Sequence, residues 1–487
     1  MKGIHKALLL ALMCLSAPLS AQEDGEKLSA LIDTVVTAYG GDALVNLKNY
    51  EIIESYVSPA TGQSWHPQLT DIGRFNFRLV HDIENDRLYA ESWFNGRAGQ
   101  FPNLVIVNGD GAFTVNLLTK RYGEAASSDP YVNAGGIMRT TDTLLARELH
   151  KSREAAEYLG EAFWMNATHE TVKIPFPQSP DLTLFINPTS GMITRMTREN
   201  PQLGLLDYVF TDHAPQDGLV AAQSVNFSVA GDPNLLGTGR ELRFNRSLAA
   251  ATFQLPAGLE QEAERIDASE MVVNRLSGNV YHIGQNGGYS IFVDTGSEVI
   301  GCGGYPGLTD RLARYREETG SFRPLRYQVV THHHQDHLGG LDEALSLGAT
   351  LVTVDHTVPV IRDNSQLNPE DGRFLTVNER MSFGDGRGEV ELYDVSTIHS
   401  ASNLLFYVPS VRTLFIADHF GGPFADGIPA ANPNTVSMSE ALAPLDLDIN
   451  RVVTAHNARV YTGRDFEASV KAYRDYDCPD DMPLCSR

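Results

Sequence analysis

One decapeptide, THHHQDHLGG at Thr331–Gly340, constrains the fold of this chain more than any other segment. It follows the strand-like run LRYQVV and precedes the helix-like run GLDEALSLG. A loop between a strand and a helix directs its side chains toward a common point, so His332, His334, Asp336 and His337 are candidate metal ligands. Imidazole combined with carboxylate suits zinc or iron, whereas magnesium and calcium prefer mostly oxygen ligands. The sequence therefore predicts a metal site here rather than a solvated histidine-rich loop.

The chain is long and acidic. Its 487 residues exceed what one ordinary hydrophobic core organises, so we expect two domains. Lysines and arginines number 38 against 61 aspartates and glutamates, which gives a formal net charge of -23. This charge repels phosphate backbones, and no basic run offsets it locally. We therefore expect no nucleic-acid partner, and we attribute the acidity to solubility. A small-molecule substrate is expected on the ground of the candidate metal site.

Residues 1–21 have the pattern of a secretory signal peptide. Lys2 and Lys6 precede a short apolar run, and small residues follow up to Ala21. The run is too short to span a bilayer, and no later segment has 18 uninterrupted apolar residues. We expect cleavage near Ala21-Gln22 and an exported protein, periplasmic or secreted, with no stable membrane anchor.

Three cysteines follow the signal segment. Cys478 and Cys485 bracket a polar stretch of the C-terminal tail, residues 471–487, and export permits them to form a disulfide. Cys302, in VIGCGG, is left without a partner. A buried small apolar residue is its favoured role, and a reactive thiol near the site is the alternative.

Residues 25–258 are predicted to form a β-rich domain. Apolar residues recur at helical spacing over Lys27–Tyr39, and Gly40-Gly41 ends that helix. Most of the remainder alternates like strands, apart from a predicted helix of about five turns that begins at Thr140 or Thr141. The result is a curved antiparallel sheet with helices against it. This region resembles the open β half-barrel of periplasmic lipoprotein carriers, which implies a concave apolar face able to hold an acyl chain and hence an acylated or lipid-like ligand.

A polar segment, Pro256–Glu270, is predicted to be the linker to a second domain at 259–470. In that domain strand-like and helix-like runs alternate, and several strands end at a histidine or an aspartate.

The decapeptide has the T-H-x-H-x-D-H-x-G-G pattern of the metallo-β-lactamase superfamily, and residues of about 268–470 resemble that family. Three further motif positions follow in order: His399 in TIHSASNLLFYVP, Asp418 in TLFIADHF and His456 in RVVTAHNARV. The resemblance implies a four-layer αββα domain, so the whole chain is predicted to be α+β, with an antiparallel β half-barrel-like domain first.

The resemblance also implies two groups of metal ligands that share one carboxylate. His332, His334 and His399 would hold one metal, Asp336, His337 and His456 the other, and Asp418 would lie between them. Two zinc ions per chain are expected, with iron or manganese as alternatives. The implied enzyme is a hydrolase in which a metal-bridging hydroxide attacks an ester, lactone, thioester or phosphoester bond. Asp336 would be the catalytic residue that orients the nucleophile and passes a proton to the leaving group.

Some features depart from the family pattern. Asp418 stands where the lactamases that gave the family its name often carry cysteine, which favours glyoxalase-like and general hydrolase activities over drug hydrolysis. Four histidines near the motifs are expected to lie outside the ligand set: His282, His333, His356 and His419. Asn403 could reach the pocket, and a turn or cap role explains it equally well.

Two other functions stay open. A mononuclear iron dioxygenase of the same fold would use His332, His399 and Asp418 alone. A periplasmic lipid- or ligand-binding protein would use the N-terminal domain for binding, with the metal domain serving structure; seven intact ligand positions speak against this, because structural zinc sites are normally single.

Overall fold

A computed structural model describes residues 23–201, 203–476, 478, 484 and 485 of the protein. The predicted signal peptide, residues 1–21, lies outside the described residues. Within the described ranges, no helix combines the length and the apolar character needed to cross a membrane.

The first part of the chain forms one 14-stranded sheet. Its strands are β1 (Asn49–Pro59), β2 (Ile72–Asp82), β3 (Arg87–Gly96), β4 (Gly99–Asn108), β5 (Gly111–Asn116), β6 (Arg121–Glu124), β7 (Glu157–Trp164), β8 (Ala167–Phe176), β9 (Ser179–Ile186), β10 (Ile193–Asn200), β11 (Gly204–Gln216), β12 (Leu219–Val229), β13 (Asp232–Phe244) and β14 (Glu260–Gln261). The order across the sheet is β14-β6-β5-β4-β3-β2-β1-β13-β12-β11-β10-β9-β8-β7, and all pairs are antiparallel except β14 with β6. The predicted antiparallel, β-rich domain is confirmed.

Four helices pack on one face of this sheet. They are α1 (residues 23–38), α2 (Asp42–Val45), α3 (Pro130–Met138) and α4 (Asp142–Lys151). The helical stripe predicted for α1 is buried, with Ile32 and Val35 fully inaccessible in the same core as Leu145 and Leu149 of α4. The helices therefore bury the apolar side chains on the face of the sheet on which they pack.

The long helix predicted from Thr140 is wrong in its second half. Helix α4 ends at Lys151, and Glu157–Trp164 is the edge strand β7. Burial along β7 alternates residue by residue, and the strand pairs with β8 with a register shift between Tyr158 and Gly160. Cross-strand pairing here overrides the helical preference of the alanines and glutamates, because strand formation depends on neighbouring strands more than on intrinsic propensity.

The second part of the chain has two facing sheets. The first contains β15 (Val272–Arg275), β16 (Val280–Gln285), β17 (Gly288–Asp294), β18 (Val299–Cys302), β19 (Leu325–Val329), β20 (Thr350–Thr353) and β21 (Phe374–Thr376). The second contains β22 (Arg380–Phe383), β23 (Val390–Val395), β24 (Asn403–Val408), β25 (Thr413–Phe415), β26 (Arg451–Val453) and β27 (Tyr461–Thr462). A core that includes Ile291, Val329, Phe406 and Phe415 fills the space between them.

Helices cover the outer faces of both sheets. On the first sheet lie α5 (Leu308–Thr319), α6 (Leu341–Ser346) and α7 (Val358–Asn364); on the second lie α8 (Pro433–Leu442) and α9 (Gly463–Ala472). Each side has its own apolar cluster, around Leu312 and Leu345 on the first and around Met438 and Phe466 on the second. The four layers are those of the predicted αββα domain, and the α+β class is confirmed.

The linker and the tail both return to the N-terminal sheet. The predicted linker contains β14, which adds a short parallel edge strand beside β6. A disulfide joins Cys478 to Cys485. Leu484 and Cys485 are buried in a cluster with Trp93 on that sheet. The remaining cysteine, Cys302, is fully buried between the two sheets of the second domain, where burial raises the pKa of its thiol well above the usual value, so a reactive role is not favoured.

Candidate metal centre

Strand ends bring the predicted ligands together at one edge of the two sheets. Strand β19 ends at Val329, just before the histidine loop. His399 lies in the loop between β23 and β24, Asp418 follows β25, and His456 follows β26. Close packing sets the end of the loop: a Cβ at Gly340 would lie 2.1 Å from the carbonyl oxygen of Tyr305, so a larger residue would push the two segments apart.

The first group contains His332, His334, His399 and Asp418. One ligand atom from each lies within 4.8 Å of the others. The Nε2 atoms of His399 and His332 are 3.1 Å apart, and the ring centroids of His334 and His399 are 4.5 Å apart. All three imidazoles face one point in a largely buried setting.

The second group contains Asp336, His337, Asp418 and His456, with ligand atoms within the same 4.8 Å limit. The side chain of His337 is inaccessible, whereas those of Asp336 and His456 are each 36% exposed. The second group therefore lies on the side of the centre that is open to solvent, where a substrate can approach.

Asp418 belongs to both groups. Its Oδ2 lies 2.9 Å from His399 Nε2 and 3.4 Å from His332 Nε2, and its Oδ1 lies 2.8 Å from His337 Nε2 and 3.0 Å from His456 Nε2. Burial alone would raise the pKa of this carboxyl, but His337 and His332 hold it well below the ordinary value. Asp418 is therefore an anion placed between two sets of imidazoles.

Burial keeps two imidazoles of the first group, those of His332 and His334, neutral. Burial, followed by the charges of His337 and His334, lowers the pKa of His332 well below its usual value, and burial lowers the pKa of His334 to about 3. Neutral imidazole is the form that binds a metal. At neutral pH these side chains need not lose a proton before they act as ligands.

The atoms of His334 indicate which nitrogen faces the centre. Its Nε2 lies 3.1 Å from the carbonyl oxygen of Ser64, which can only accept, so Nε2 carries the proton. Its Nδ1 is buried and has no hydrogen-bond partner among the described residues. A buried, unprotonated nitrogen aimed at other ligand atoms fits a metal. The donor set of nitrogens with few carboxylates suits zinc or another transition metal better than magnesium or calcium.

Residues 273–456 match the family model of the metallo-beta-lactamase superfamily. This segment is therefore a domain of the metallo-beta-lactamase superfamily. It is a metallohydrolase of that fold, with a candidate metal site formed by histidines and aspartates.

Solved structures similar to this chain include a metallo-beta-lactamase from Pontibacter korlensis, at 19% identity and a TM-score of 0.32, covering 42% of this chain and 98% of that one. The metallo-beta-lactamase SMB-1 in a complex with mercaptoacetic acid has 17% identity and a TM-score of 0.33, with 42% and 96% covered. A flavodiiron protein from Giardia intestinalis has 16% identity and a TM-score of 0.33, with 41% and 57% covered.

The five neighbouring polar residues of the metallo-beta-lactamase domain take other roles. His419 bonds through its two nitrogens to Thr397 Oγ1 and the Ile416 carbonyl oxygen, both at 3.0 Å. His282 lies 2.9 Å from the Thr454 carbonyl oxygen. None of the five belongs to either ligand group of the described residues. His333 lies beside Ser400, and His356 lies beside His66. Asn403 donates to the carbonyl oxygens of Val395 and Ser400.

Tyr305 is a further residue of the candidate site, and the sequence patterns do not indicate it. Its hydroxyl donates to Asp336 Oδ2 at 2.6 Å and lies 2.9 Å from His456 Nδ1. Burial and then Asp336 raise the pKa of this phenol well above its usual value, so it stays a donor. The only signal in the sequence is its place in GCGGYPG, a glycine-rich segment after β18, which permits close approach to the histidine loop.

Gln63 is the second such residue, and it comes from the N-terminal sheet. Its amide Nε2 donates to Asp336 Oδ1 at 2.9 Å. The two oxygens of Asp336 therefore accept from different domains: Oδ1 from Gln63 of the N-terminal domain and Oδ2 from Tyr305 of the second domain. A glutamine in ATGQSW resembles any polar surface residue, and no pattern in the sequence points to it.

Proposed function

We propose that this protein is an exported, binuclear zinc-dependent hydrolase of small-molecule esters, lactones, thioesters or phosphoesters. The observation that carries the proposal is the position of Asp418, whose two carboxylate oxygens contact histidines of two separate ligand groups. A carboxylate shared in this way suits a two-metal hydrolase site, where one residue would serve both ions.

The ligand chemistry supports zinc. His332, His334 and His399 would hold one ion and Asp336, His337 and His456 the other, with Asp418 shared. Zinc accepts imidazole and carboxylate ligands in about four-coordinate sites, and catalytic zinc keeps a position open for water or substrate. The exposed side of the second group provides such a direction of approach.

When bound, the ions would supply Lewis acidity and a water whose pKa is lowered from 15.7 toward about 7. The chain's own residues then position and move protons. Asp336, fixed by Tyr305 on Oδ2 and by Gln63 on Oδ1, orients the attacking water, accepts its proton and passes it to the leaving group. Tyr305, which stays protonated, keeps that carboxylate oriented.

Two observations favour this proposal over the alternatives. A mononuclear iron dioxygenase would leave Asp336, His337 and His456 without a task, yet their ligand atoms converge with Asp418. A lipid carrier needs a free apolar face, and the helices α1 and α4 cover the face of the N-terminal sheet on which they pack. An acylated substrate is still included in the proposal, because an ester or thioester of a fatty acid has the required bond.

The test is a hydrolysis screen combined with metal analysis. Wild type purified with zinc should contain two ions per chain and hydrolyse members of an ester, lactone, thioester and phosphodiester panel. His334→Ala and Asp418→Ala should each bind fewer than two zinc ions per chain and should lose turnover. Asp448→Ala, at a carboxylate with 72% side-chain exposure, should change neither the zinc content nor the turnover. Activity that survives both ligand substitutions, or an active preparation without metal, would overturn the proposal.

Export rests on the pattern of residues 1–21 and is tested separately. We expect the mature protein to begin at Gln22 and to appear in the periplasmic or culture fraction, as measured by intact mass and N-terminal sequencing. A cytoplasmic protein that retains Met1–Ala21 would contradict this part.

A further inference from the structure

The connection between β1 and β2, residues 60–71, is called the site loop below. It belongs to the N-terminal sheet by sequence, yet it extends over the metal centre of the other domain. Two of its residues contact two predicted metal ligands. The Ser64 carbonyl oxygen accepts from His334 Nε2 at 3.1 Å, and the Gln63 amide donates to Asp336 Oδ1 at 2.9 Å.

Further contacts hold the site loop on the metallo-beta-lactamase domain. The Gln335 backbone N–H donates to the Gly62 carbonyl oxygen at 3.2 Å, between the two ligand contacts. Trp65 makes two hydrogen bonds to this domain, one from its side chain and one from its backbone. Its indole N–H donates to the Thr397 carbonyl oxygen at 2.8 Å, and its carbonyl oxygen accepts from the Ala401 N–H at 2.7 Å. Residues 397 and 401 flank the third histidine of the first ligand group. The site loop therefore contacts the chain next to three of the seven predicted ligands.

The site loop has an internal structure that fixes these contacts. Ser64 is 3% exposed; its hydroxyl donates to the Ala60 carbonyl oxygen at 2.9 Å and accepts from the Asp71 N–H at 3.1 Å. The Asp71 carboxylate accepts from the Trp65 N–H at 2.7 Å and from Arg97 Nε at 3.1 Å. The loop is thus bonded to the turn between β3 and β4 as well as to its own ends, and it presents Gln63 and Ser64 in a defined position.

From these contacts, and on the basis of the proposed metal-dependent function, we propose that the site loop is part of the metal centre. Gln63 and the Ser64 carbonyl are positioning groups for Asp336 and His334, one in each ligand group. Because a proton on His334 Nε2 leaves Nδ1 as the free lone pair, the Ser64 carbonyl selects the nitrogen that can bind metal. The Gln63 amide restricts Asp336 to one orientation. Loss of such an outer hydrogen bond typically weakens metal affinity by about 10- to 100-fold.

Two variants and one control test the inference. Gln63→Ala removes only the amide. A second variant replaces residues 61–70 by Asn-Gly, which can close the hairpin as a two-residue turn because the Ala60 N–H already bonds the Asp71 carbonyl oxygen at 2.9 Å. Gln178→Ala is the matched control: this amide also lies in a loop of the same sheet and donates to a carboxylate, that of Asp129 at 3.1 Å.

Each full-length protein is stripped of metal, checked for folding by thermal unfolding, and titrated with zinc against a chromophoric chelator. We expect Gln63→Ala to unfold at the wild-type temperature and to bind zinc roughly 10- to 100-fold more weakly. The Asn-Gly variant should bind more weakly still, and Gln178→Ala should match wild type. Cobalt(II) absorption should change in Gln63→Ala, since the geometry around Asp336 changes, and stay unchanged in the control.

Wild-type zinc affinity in Gln63→Ala overturns the role of Gln63, and wild-type affinity in both variants overturns the inference as a whole. If the Asn-Gly variant fails to fold, Gln63→Ala decides the result. The outcome is independent of the hydrolysis screen: weaker zinc binding in a protein that hydrolyses nothing supports the inference and overturns the proposed function. A wild type that binds no metal overturns both.

Discussion

Replacing Asp418 by asparagine is the most direct perturbation of the metal centre. The carboxylate contacts four histidine nitrogens at 2.8, 2.9, 3.0 and 3.4 Å, and its pKa is held well below the ordinary value, so it is fully anionic at neutral pH. Asparagine keeps the shape but loses the charge and one of the two oxygens. Both ligand groups should therefore bind metal more weakly, whereas the protein without metal should fold.

The size of the effect follows from linkage between binding and folding. Free zinc at 100 times its dissociation constant stabilises a site by about 2.7 kcal/mol. A direct ligand should matter at least as much as an outer partner, for which the loss is about 100-fold at the upper end. At the same free zinc, the stabilisation in Asp418→Asn then falls to about 0.4 kcal/mol per site. For a domain of about 200 residues, the loss of about 2.3 kcal/mol lowers the zinc-dependent shift in Tm by roughly 5 to 9 °C per site.

The assay is thermal unfolding by circular dichroism in a zinc buffer and in chelator. Wild type should show the full shift on adding zinc, and Asp418→Asn a small one. Asp448→Asn, a change of the same chemistry at an exposed ion pair with Arg412, should keep the wild-type shift. An Asp418→Asn protein that gains as much stability from zinc as wild type would refute the assignment of Asp418 to both ligand groups.

Three further results are expected. Arg240 Nε lies 2.8 Å from Glu54 Oε1 with both side chains nearly inaccessible, so Arg240→Met should lower the free energy of unfolding in urea by roughly 3–5 kcal/mol, and the added Glu54→Leu should restore most of it. Burial lowers the pKa of His81 to about 4 in the folded state, against about 6.5 in the unfolded state. The contribution of this histidine to the free energy of unfolding is therefore present above pH 6.5 and falls by about 3 kcal/mol as the pH drops toward 4. In urea titrations across that range, the free energy of unfolding should fall more steeply with pH in wild type than in His81→Gln. Reduction of the Cys478–Cys485 disulfide, with a sequence separation of 7, should lower the free energy of unfolding by at most about 2.4 kcal/mol, because the closed loop is short. A larger loss in urea titrations with dithiothreitol would contradict this.

The ligand positions could be predicted because each lies in a short sequence motif that is recognisable by itself. Four of them lie in one loop, and His399, Asp418 and His456 each lie beside a short apolar strand that is recognisable alone. Strands of facing sheets that end at the same edge can bring such residues together, and the resemblance to the metallo-β-lactamase family assigned them to two ligand groups. The structure brings all seven side chains into the two expected groups.

The supporting residues could not be predicted, since their role depends on where two domains meet. Gln63 and Ser64 lie some 270 residues before their partners. A polar residue in a loop has the same sequence pattern whether it faces solvent or another domain. The predicted helix after Thr140 failed for a similar reason, because Glu157–Trp164 takes its conformation from pairing with β8 rather than from its own composition.

The return of the tail to the first domain has a consequence for movement. Asn76 and Asn95 of the N-terminal sheet donate to the carbonyl oxygens of Leu484 and Cys485 at 3.3 Å, and the ring of Tyr476 stacks on Trp93. The catalytic unit is thus fastened to the sheet at its beginning, through β14, and again after its last helix. A hinge motion of one domain about a single point would break one of these attachments. We therefore expect reactants and products to pass over the exposed side of the centre at His456 without separation of the two domains.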